Sequence, residues 1–270
     1  MNYMDYLKTE TFPLFWCGGC GNGTVLRSIV RSFAALGYSR EDTVVVTGIG
    51  CWGKADDYVT TNSFHGTHGR ALAFATGIKL ANPRLNVIVL MGDGDGVTIG
   101  GNHFIHAARR NVDLTAVLVN NFNYGMTGGQ YSGTTPENSV TTTSRYGHIE
   151  PAFDICELAK AAGAPFVART STDNPVAMEK LITEGLRKKG FSLIEAIATC
   201  PTHFGKNNGN RNAADLMNWV KERSVPVARA KEMDRTELSG KLVMGKLADN
   251  EGEDYGTRYQ KLIAKSQLQG

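Results

Sequence analysis

Two patterns of apolar positions alternate along this chain: short runs that are apolar throughout, and longer segments in which apolar residues recur at helical spacing. The short runs predict buried strands at 43–47, 86–91, 114–119, 165–169 and 191–197. The longer segments predict helices at 23–36, 68–81, 101–110, 151–162 and 175–188. Fully apolar strands separated by helices are typical of a parallel sheet covered on both faces. We therefore expect an α/β fold, a mostly parallel sheet flanked by helices.

The residue composition of the sequence changes near Gly205. The composition of the segment from Lys206 to Asn210 (KNNGN) predicts a break, and the polar, charged residues after it show no further strand pattern. We predict a domain at 1–205 and a C-terminal helical or extended arm at 206–270, which packs on a partner or on its own domain. The arm is too short for a second parallel-sheet domain.

Composition narrows the classes of function. The chain has 270 residues, of which 41% are apolar and 20% charged, with a net charge of +3. These values are typical of a globular protein, and no polybasic stretch indicates nucleic-acid binding. No apolar run approaches the roughly 20 residues of a membrane span, and the first ten residues lack the features of a secretory signal. We expect a cytoplasmic protein that binds neither membrane nor nucleic acid.

Glycines and carboxylates follow the strand predicted at 86–91, in the segment Gly92-Asp93-Gly94-Asp95-Gly96, and Asn120 and Asn121 follow the next predicted strand. In parallel sheets the carboxyl ends of the strands share one edge, where ligands bind. Glycine lets the backbone approach a diphosphate closely, and an Asp with an Asn can supply oxygens to a hard cation. Glycines alone indicate only a tight turn, but the two motifs on adjacent strands predict a cation and phosphate site.

The stretch from Gly92 to Asn121 resembles the signature of thiamine diphosphate enzymes. Its continuation from Asn123 to Gln130 (NYGMTGGQ) is similar to the thiamine-binding β subunit of the 2-oxoacid:ferredoxin oxidoreductases. The resemblance implies the thiamine diphosphate-binding fold, with Mg²⁺ bound by Asp93, the side chain of Asn121 and the backbone carbonyl of Asn123. The further cofactor contacts that it implies are Gly92, Gly94, Asp95, Gly125 and Met126.

Four of the five cysteines lie in predicted loops or at strand ends: Cys17, Cys20, Cys51 and Cys200. Four thiols suit either Zn²⁺ or an iron–sulfur cluster, and Cys17 with Cys20 also has the spacing of a redox couple. Spacing leaves these alternatives open. The resemblance favours one of them, because four cysteines so placed in the family's β subunit hold one [4Fe–4S] cluster near the thiamine. Cys156, within a predicted helix, is expected to be a small packed residue.

His65 and His68 precede the helix predicted at 68–81. Taken alone, they suggest loop packing or helix capping. The family, however, has a similar histidine segment against the cofactor, beside residues that match 49–52. The resemblance thus implies a catalytic role for His68. The remaining contacts that it implies, to cofactor or substrate, are Ile49, Gly50, Cys51, Trp52 and His65.

The implied activity is the CoA-dependent oxidative decarboxylation of a 2-oxoacid, or its reverse, with electrons passed through the cluster to ferredoxin. The segments Phe15 to Cys20 and Asn123 to Gln130 are most similar to the 2-oxoglutarate branch, and pyruvate is the second candidate. Some family members carry at the position of Gly128 a Lys that approaches the substrate carboxylate. A glycine cannot do so, and the cation must come from elsewhere.

The resemblance also implies a partner. The Glu that protonates the aminopyrimidine of thiamine comes, in this family, from another domain, and this sequence has no room for it. We therefore expect an αβ hetero-oligomer whose α subunit completes the site, and a chain that is inactive alone. The rival hypothesis is a non-catalytic, zinc-stabilised nucleotide-binding subunit. A thiamine decarboxylase or synthase without a cluster would leave the four cysteines unexplained.

Overall fold

The computed structural model describes residues 2–210 and 212–268. Within them one sheet has the strand order β2-β1-β3-β4-β6-β5-β8-β7, and neighbouring strands are parallel except β5 and β8. The strands are β1 (Thr43–Thr47), β2 (Asn62–His65), β3 (Asn86–Gly92), β4 (Thr115–Asn120), β5 (Phe166–Ser171), β6 (Ser192–Ile197), β7 (Ser224–Pro226) and β8 (Leu242–Asp249). The predicted α/β class with a mostly parallel sheet is confirmed.

Helices cover both faces of this sheet. They are α1 (Asn22–Leu36), α2 (Ala71–Ala81), α3 (Gly101–Arg110), α4 (Ile155–Ala162), α5 (Pro175–Arg187), α6 (Ala213–Arg223), α7 (Val227–Ala230) and α8 (Tyr255–Gln267). Helices α1 and α5 share one core with alternate strand residues such as Val45, whereas α2, α3 and α4 share the other with Val44 and Val46. Among the described residues, no helix combines the length and apolarity needed to cross a membrane.

Two predicted helices begin later than the sequence pattern indicates. The helix predicted from 68 begins at Ala71, and the one predicted from 151 begins at Ile155. At the second position Asp154 is the N-cap, and its side chain accepts a hydrogen bond of 3.0 Å from the Glu157 backbone N–H. Such a cap needs non-helical backbone at residue 154, which leaves the preceding residues outside the helix.

The expectation that no strand follows residue 205 is wrong. Strand β8 pairs antiparallel with β5, and β7 extends the sheet beyond β8. Gly245 and Lys246 interrupt the apolar pattern of β8, and this strand near one edge is only half-buried. At the opposite edge β2 is exposed along its whole length and has no apolar periodicity, so its sequence did not predict a strand either. The division at residue 205 stays a prediction.

Candidate active site

The carboxyl ends of β1, β3 and β4 surround a cavity of about 80 Å³, walled by the loops that follow these strands and by His68. Because the three strands are parallel, their ends meet at one edge of the sheet. The predicted site residues that line this cavity are Ile49, Gly50, Cys51, Trp52, His68, Gly92, Asp93, Gly94, Asp95, Asn121, Asn123, Gly125 and Met126. The structure thus brings together three loops that are far apart in the sequence.

Oxygen atoms converge on one side of the cavity. The amide oxygen of Asn121 faces Asp93 Oδ1 and both oxygens of Asn123; an amide nitrogen in its place would lie 3.3 Å from Asp93 Oδ1 and 2.8 Å from the Asn123 backbone oxygen. The Asn123 backbone N–H also approaches the Asn121 oxygen, at a long 3.4 Å. A carboxylate, a side-chain amide and a backbone carbonyl are oxygen ligands that Mg²⁺ accepts. The donor set therefore fits a hard cation.

The burial of Asp93 supports the same reading. Asp93 is 2% exposed, and burial raises the pKa of its carboxyl group. Hydrogen bonds from Ser132, Thr134 and nearby backbone N–H groups lower this pKa but do not outweigh the effect of burial. An ionised carboxylate buried without a cation is costly. A divalent cation among these oxygens would stabilise the charged form.

Asp95 holds His68 in one orientation. Asp95 Oδ1 lies 2.6 Å from His68 Nδ1 and accepts hydrogen bonds from the backbone N–H groups of Gly69, at 2.7 Å, and Ile49, at 3.3 Å. An ionised carboxylate can only accept, so His68 Nδ1 carries the proton. In the neutral imidazole, Nε2 is then the free acceptor.

Gly94 must be a glycine in this structure. A Cβ atom there would lie 2.3 Å from Cε1 of Tyr124, far inside van der Waals contact. The Tyr124 hydroxyl donates a hydrogen bond of 3.2 Å to the Gly94 carbonyl, and its ring meets the His68 ring edge-on at 6.1 Å. The aromatic side chain therefore closes the cavity against the backbone of the glycine turn.

The thiols of Cys51 and Cys200 both lie close to Gly125. A Cβ atom on Gly125 would be 3.5 Å from Cys200 Sγ and 3.7 Å from Cys51 Sγ. Burial raises the pKa of Cys51 to about 11, with further contributions from Cys200, Cys17 and Cys20. Burial is also the main cause that raises the pKa of Cys20, with Cys17 and Cys200 among the lesser ones. The four predicted thiols are therefore electrostatic neighbours.

Among the residues that the structure describes, no three His, Cys, Asp or Glu side chains are grouped so that they could hold one metal ion. The choice between Zn²⁺ and an iron–sulfur cluster at the four thiols stays a prediction.

Hydrogen bonds join the cysteine loops to one another and to the cavity. The indole Nε1–H of Trp16 donates to the Cys51 carbonyl at 2.6 Å, and its ring packs on Trp52, with centroids 5.7 Å apart. The Thr199 backbone N–H donates to the Cys20 carbonyl at 3.2 Å. Neither Trp16 nor Thr199 was predicted to have a role, although each adjoins a predicted cluster cysteine.

Comparison with known proteins agrees with this geometry. Residues 45–196 match the family described as thiamine pyrophosphate enzyme, C-terminal TPP binding domain. The 2-oxoglutarate synthase subunit KorB of Methanocaldococcus jannaschii is 45% identical over 262 residues, which are 97% of each chain. The subunit of the same name from Archaeoglobus fulgidus is 56% identical over 82% of this chain and 80% of its own length. This chain belongs to the KorB family of thiamine pyrophosphate enzymes.

A solved structure resembles this KorB family member along its full length. It is a 2-oxoglutarate:ferredoxin oxidoreductase from Magnetococcus marinus with 2-oxoglutarate, coenzyme A and succinyl-CoA bound. The TM-score is 0.87 at 31% identity, and the match covers 100% of this chain and 91% of the other. The resemblance and the fold predicted from the sequence are confirmed.

His65 lies outside the cavity lining of this KorB family member. Its Nδ1 is 3.1 Å from Asp56 Oδ2 and 3.1 Å from the hydroxyl of Thr47. These contacts are at the carboxyl end of β2, beside the cavity loops. The predicted contact between His65 and the cofactor or substrate stays a prediction.

Sequence reasoning missed the hydroxyl groups that hold Asp93. Ser132 and Thr134 both contact Asp93 Oδ2, at 2.5 and 2.6 Å. They belong to the long connection between β4 and α4, which has no periodic pattern. A serine and a threonine shortly after the Asn123 to Gln130 motif were the available signal, but such residues are common in any loop.

Proposed function

We propose that this chain is the β subunit of a CoA-dependent 2-oxoglutarate:ferredoxin oxidoreductase, which binds thiamine diphosphate, Mg²⁺ and one [4Fe–4S] cluster. The observation that carries the proposal is the joint position of two donor sets. The loop that contains Asn123, beside Asp93 and Asn121, continues to Gly125, whose backbone lies against the thiols of Cys51 and Cys200. The names of the relatives, and the ligands in the solved one, support the choice of substrate.

The overall reaction converts 2-oxoglutarate, CoA and two oxidised ferredoxins to succinyl-CoA, CO₂, two reduced ferredoxins and a proton, or runs in reverse. When bound, thiamine diphosphate supplies a carbanion and an electron sink, and the cluster supplies a one-electron acceptor. The chain's own contribution is position and electrostatics. Asp93, Asn121 and Asn123 would hold Mg²⁺, and Gly94 lets the backbone approach the diphosphate.

His68 has the geometry of a proton-holding residue. Asp95 keeps the proton on Nδ1, so that Nε2 can accept a proton or a hydrogen bond from a group at the reacting carbon. Trp52 and Tyr124 supply aromatic side chains to the cavity wall. We therefore assign the catalytic role to His68 and the fixing of its tautomer to Asp95.

The remaining wall of the site is supplied by a partner in this proposal. Two apolar side chains at the cavity, Ile49 and Met126, are 36% and 45% exposed. An α subunit that covers them would bring the missing Glu and exclude water from the site. The exposed thiol of Cys17 leaves the cluster edge within reach of ferredoxin. A reducing cytoplasm would keep the four thiols available for iron.

The test is to purify the chain with its α subunit and measure the reduction of a low-potential acceptor with several 2-oxoacids. We expect activity that requires both CoA and 2-oxoglutarate, a brown protein with iron and sulfide in the ratio of a [4Fe–4S] cluster, and no turnover by the isolated chain. A preference for pyruvate would contradict the proposal that 2-oxoglutarate is the substrate. A colourless complex with stoichiometric zinc would reject the cluster, and turnover by the isolated chain would reject the need for a partner.

A further inference from the structure

The carboxylate of Asp93 uses its two oxygens differently. Oδ1 faces Asn121, whereas Oδ2 lies 2.5 Å from the hydroxyl of Ser132 and 2.6 Å from that of Thr134. Both hydroxyl residues are buried, with exposures of 1% and 2%. Two short hydrogen bonds to one oxygen prevent the carboxylate from turning, so Oδ1 stays on the cavity side.

The Thr134 hydroxyl lies between Asp93 and Asn120. Its one proton is shared between two acceptors, Asp93 Oδ2 at 2.6 Å and Asn120 Oδ1 at 3.1 Å. The backbone N–H of Phe122 donates to the same Asn120 oxygen, and the Asn120 Nδ2 donates to Glu195 Oε1 at 2.8 Å. The orientation of the Asn120 amide is therefore fixed from both ends.

The series of hydrogen bonds from Thr134 through Asn120 ends at a buried ion pair between Glu195 and Arg169. Glu195 Oε2 accepts a hydrogen bond of 2.7 Å from Arg169 Nε, and Arg169 also bonds to Asp154 at 2.5 Å. Arg169 and Glu195 are 3% and 1% exposed, on the neighbouring strands β5 and β6. An ion pair so buried cannot move without losing its partner. It gives the network a rigid base in the sheet.

We infer that Ser132 and Thr134 are positioning residues of the cation site, which hold Asp93 so that Oδ1 stays aimed at the site formed with Asn121 and Asn123. The inference rests on the proposed Mg²⁺ and thiamine diphosphate site. Partners that orient a metal ligand from behind contribute about 10- to 100-fold in metal affinity. Removing either hydroxyl should weaken cation binding by a factor in that range.

The experiment uses the complex with the α subunit, stripped of metal and thiamine diphosphate by chelation. Mn²⁺ is titrated in the presence of thiamine diphosphate, and free Mn²⁺ is measured by electron paramagnetic resonance. We expect Ser132→Ala and Thr134→Val to raise the dissociation constant of Mn²⁺ by about 10- to 100-fold. Thr134→Ser keeps the hydroxyl and should bind nearly as the unchanged protein does. At saturating metal, both weakened variants should regain most of their kcat.

Thr115→Val is the matched control, because Thr115 is a buried threonine at the amino end of β4, away from the cation site. Its hydroxyl donates a hydrogen bond to the backbone carbonyl of Gly185. It should leave Mn²⁺ affinity unchanged. An unchanged dissociation constant in Thr134→Val, no rescue by Thr134→Ser, or an equal loss in Thr115→Val would each overturn the positioning role. If the unchanged complex binds no Mn²⁺ with thiamine diphosphate, the proposed cofactor site itself fails, and the inference fails with it.

Discussion

Asp95→Asn tests whether the negative charge of the Asp95 side chain, rather than its shape, prepares His68 for catalysis. The substitution keeps the size of the side chain and replaces a charged acceptor with a neutral one. In this chain Asp95 Oδ1 meets three donors: His68 Nδ1 and the backbone N–H groups of Gly69 and Ile49. These two backbone donors should hold the Asn oxygen at the same place, so that Nδ1 of His68 still finds an acceptor.

The expected loss follows from the change in charge. A hydrogen bond to a charged group contributes about 1.5–3 kcal/mol, and a neutral one about 0.5–1.5 kcal/mol. The bond of 2.6 Å to His68 should therefore weaken by about 1–1.5 kcal/mol, which corresponds to a roughly tenfold lower kcat. A far larger loss, of about 10⁴-fold, accompanies a reversed tautomer in serine proteases. The two backbone donors make that reversal unfavourable here.

The assay is kcat of the complex with its α subunit at saturating 2-oxoglutarate, CoA, Mg²⁺ and thiamine diphosphate, with cofactor affinity measured separately. Asp42→Asn is the control, because Asp42 directly precedes β1, at the end of the strand opposite the cavity, and its carboxylate accepts a hydrogen bond of 2.9 Å from the Ser39 hydroxyl. It should leave kcat unchanged. Unaltered turnover in Asp95→Asn, or an equal fall in Asp42→Asn, would refute the reasoning about His68.

Three further predictions concern the cluster and the stability of the fold. Cys51→Ser should lose the visible absorption of the cluster, whereas Cys156→Ser, a buried thiol in α4, should keep it. Arg169→Met leaves Glu195 buried without its cation, which should lower the free energy of unfolding by about 3–5 kcal/mol. Calorimetry should then show a melting temperature lower by roughly 10 °C. Adding Glu195→Gln to this variant should recover part of the loss. Burial raises the pKa of Asp113, but hydrogen bonds and ion pairs with two lysines outweigh it and lower the pKa. Its contribution to stability is therefore present above the unfolded pKa of about 3.9 and lost as pH falls through the folded value, so Asp113→Asn should flatten the acid side of the stability profile.

The centre of the sheet is predictable from the sequence because its strands are buried on both faces. Strands β1, β3 and β4 lie between two helical layers, which requires apolar residues at every position, and such runs are easily recognised. The edges are not predictable in this way. Strand β2 is exposed and β8 is half-buried, so burial leaves little pattern in their sequences.

The candidate site likewise has one part that the sequence predicts and one part that it does not. The glycines and the Asp and Asn residues proposed as ligands directly follow recognisable strands, and their joint position is a consequence of parallel topology. Ser132 and Thr134 reach Asp93 only because the connection after β4 folds back over the carboxyl edge. No periodicity describes that path. Local sequence therefore indicates the proposed cation ligands, but the residues that contact Asp93 from behind become visible only through tertiary contacts.

Gly128 shows how backbone geometry limits what a family resemblance can carry over. Its φ of +119° is one that L side chains rarely adopt, whereas the space around its Cβ position is nearly open. Backbone conformation, rather than crowding, therefore favours glycine at this position. A lysine placed here, as in some family members, would require the loop to change its path beside Gly125 and the thiols of Cys51 and Cys200. The loop conformation therefore favours glycine over lysine at residue 128, and we predict that the cation for the substrate carboxylate reaches the cavity from a different element or from the partner subunit.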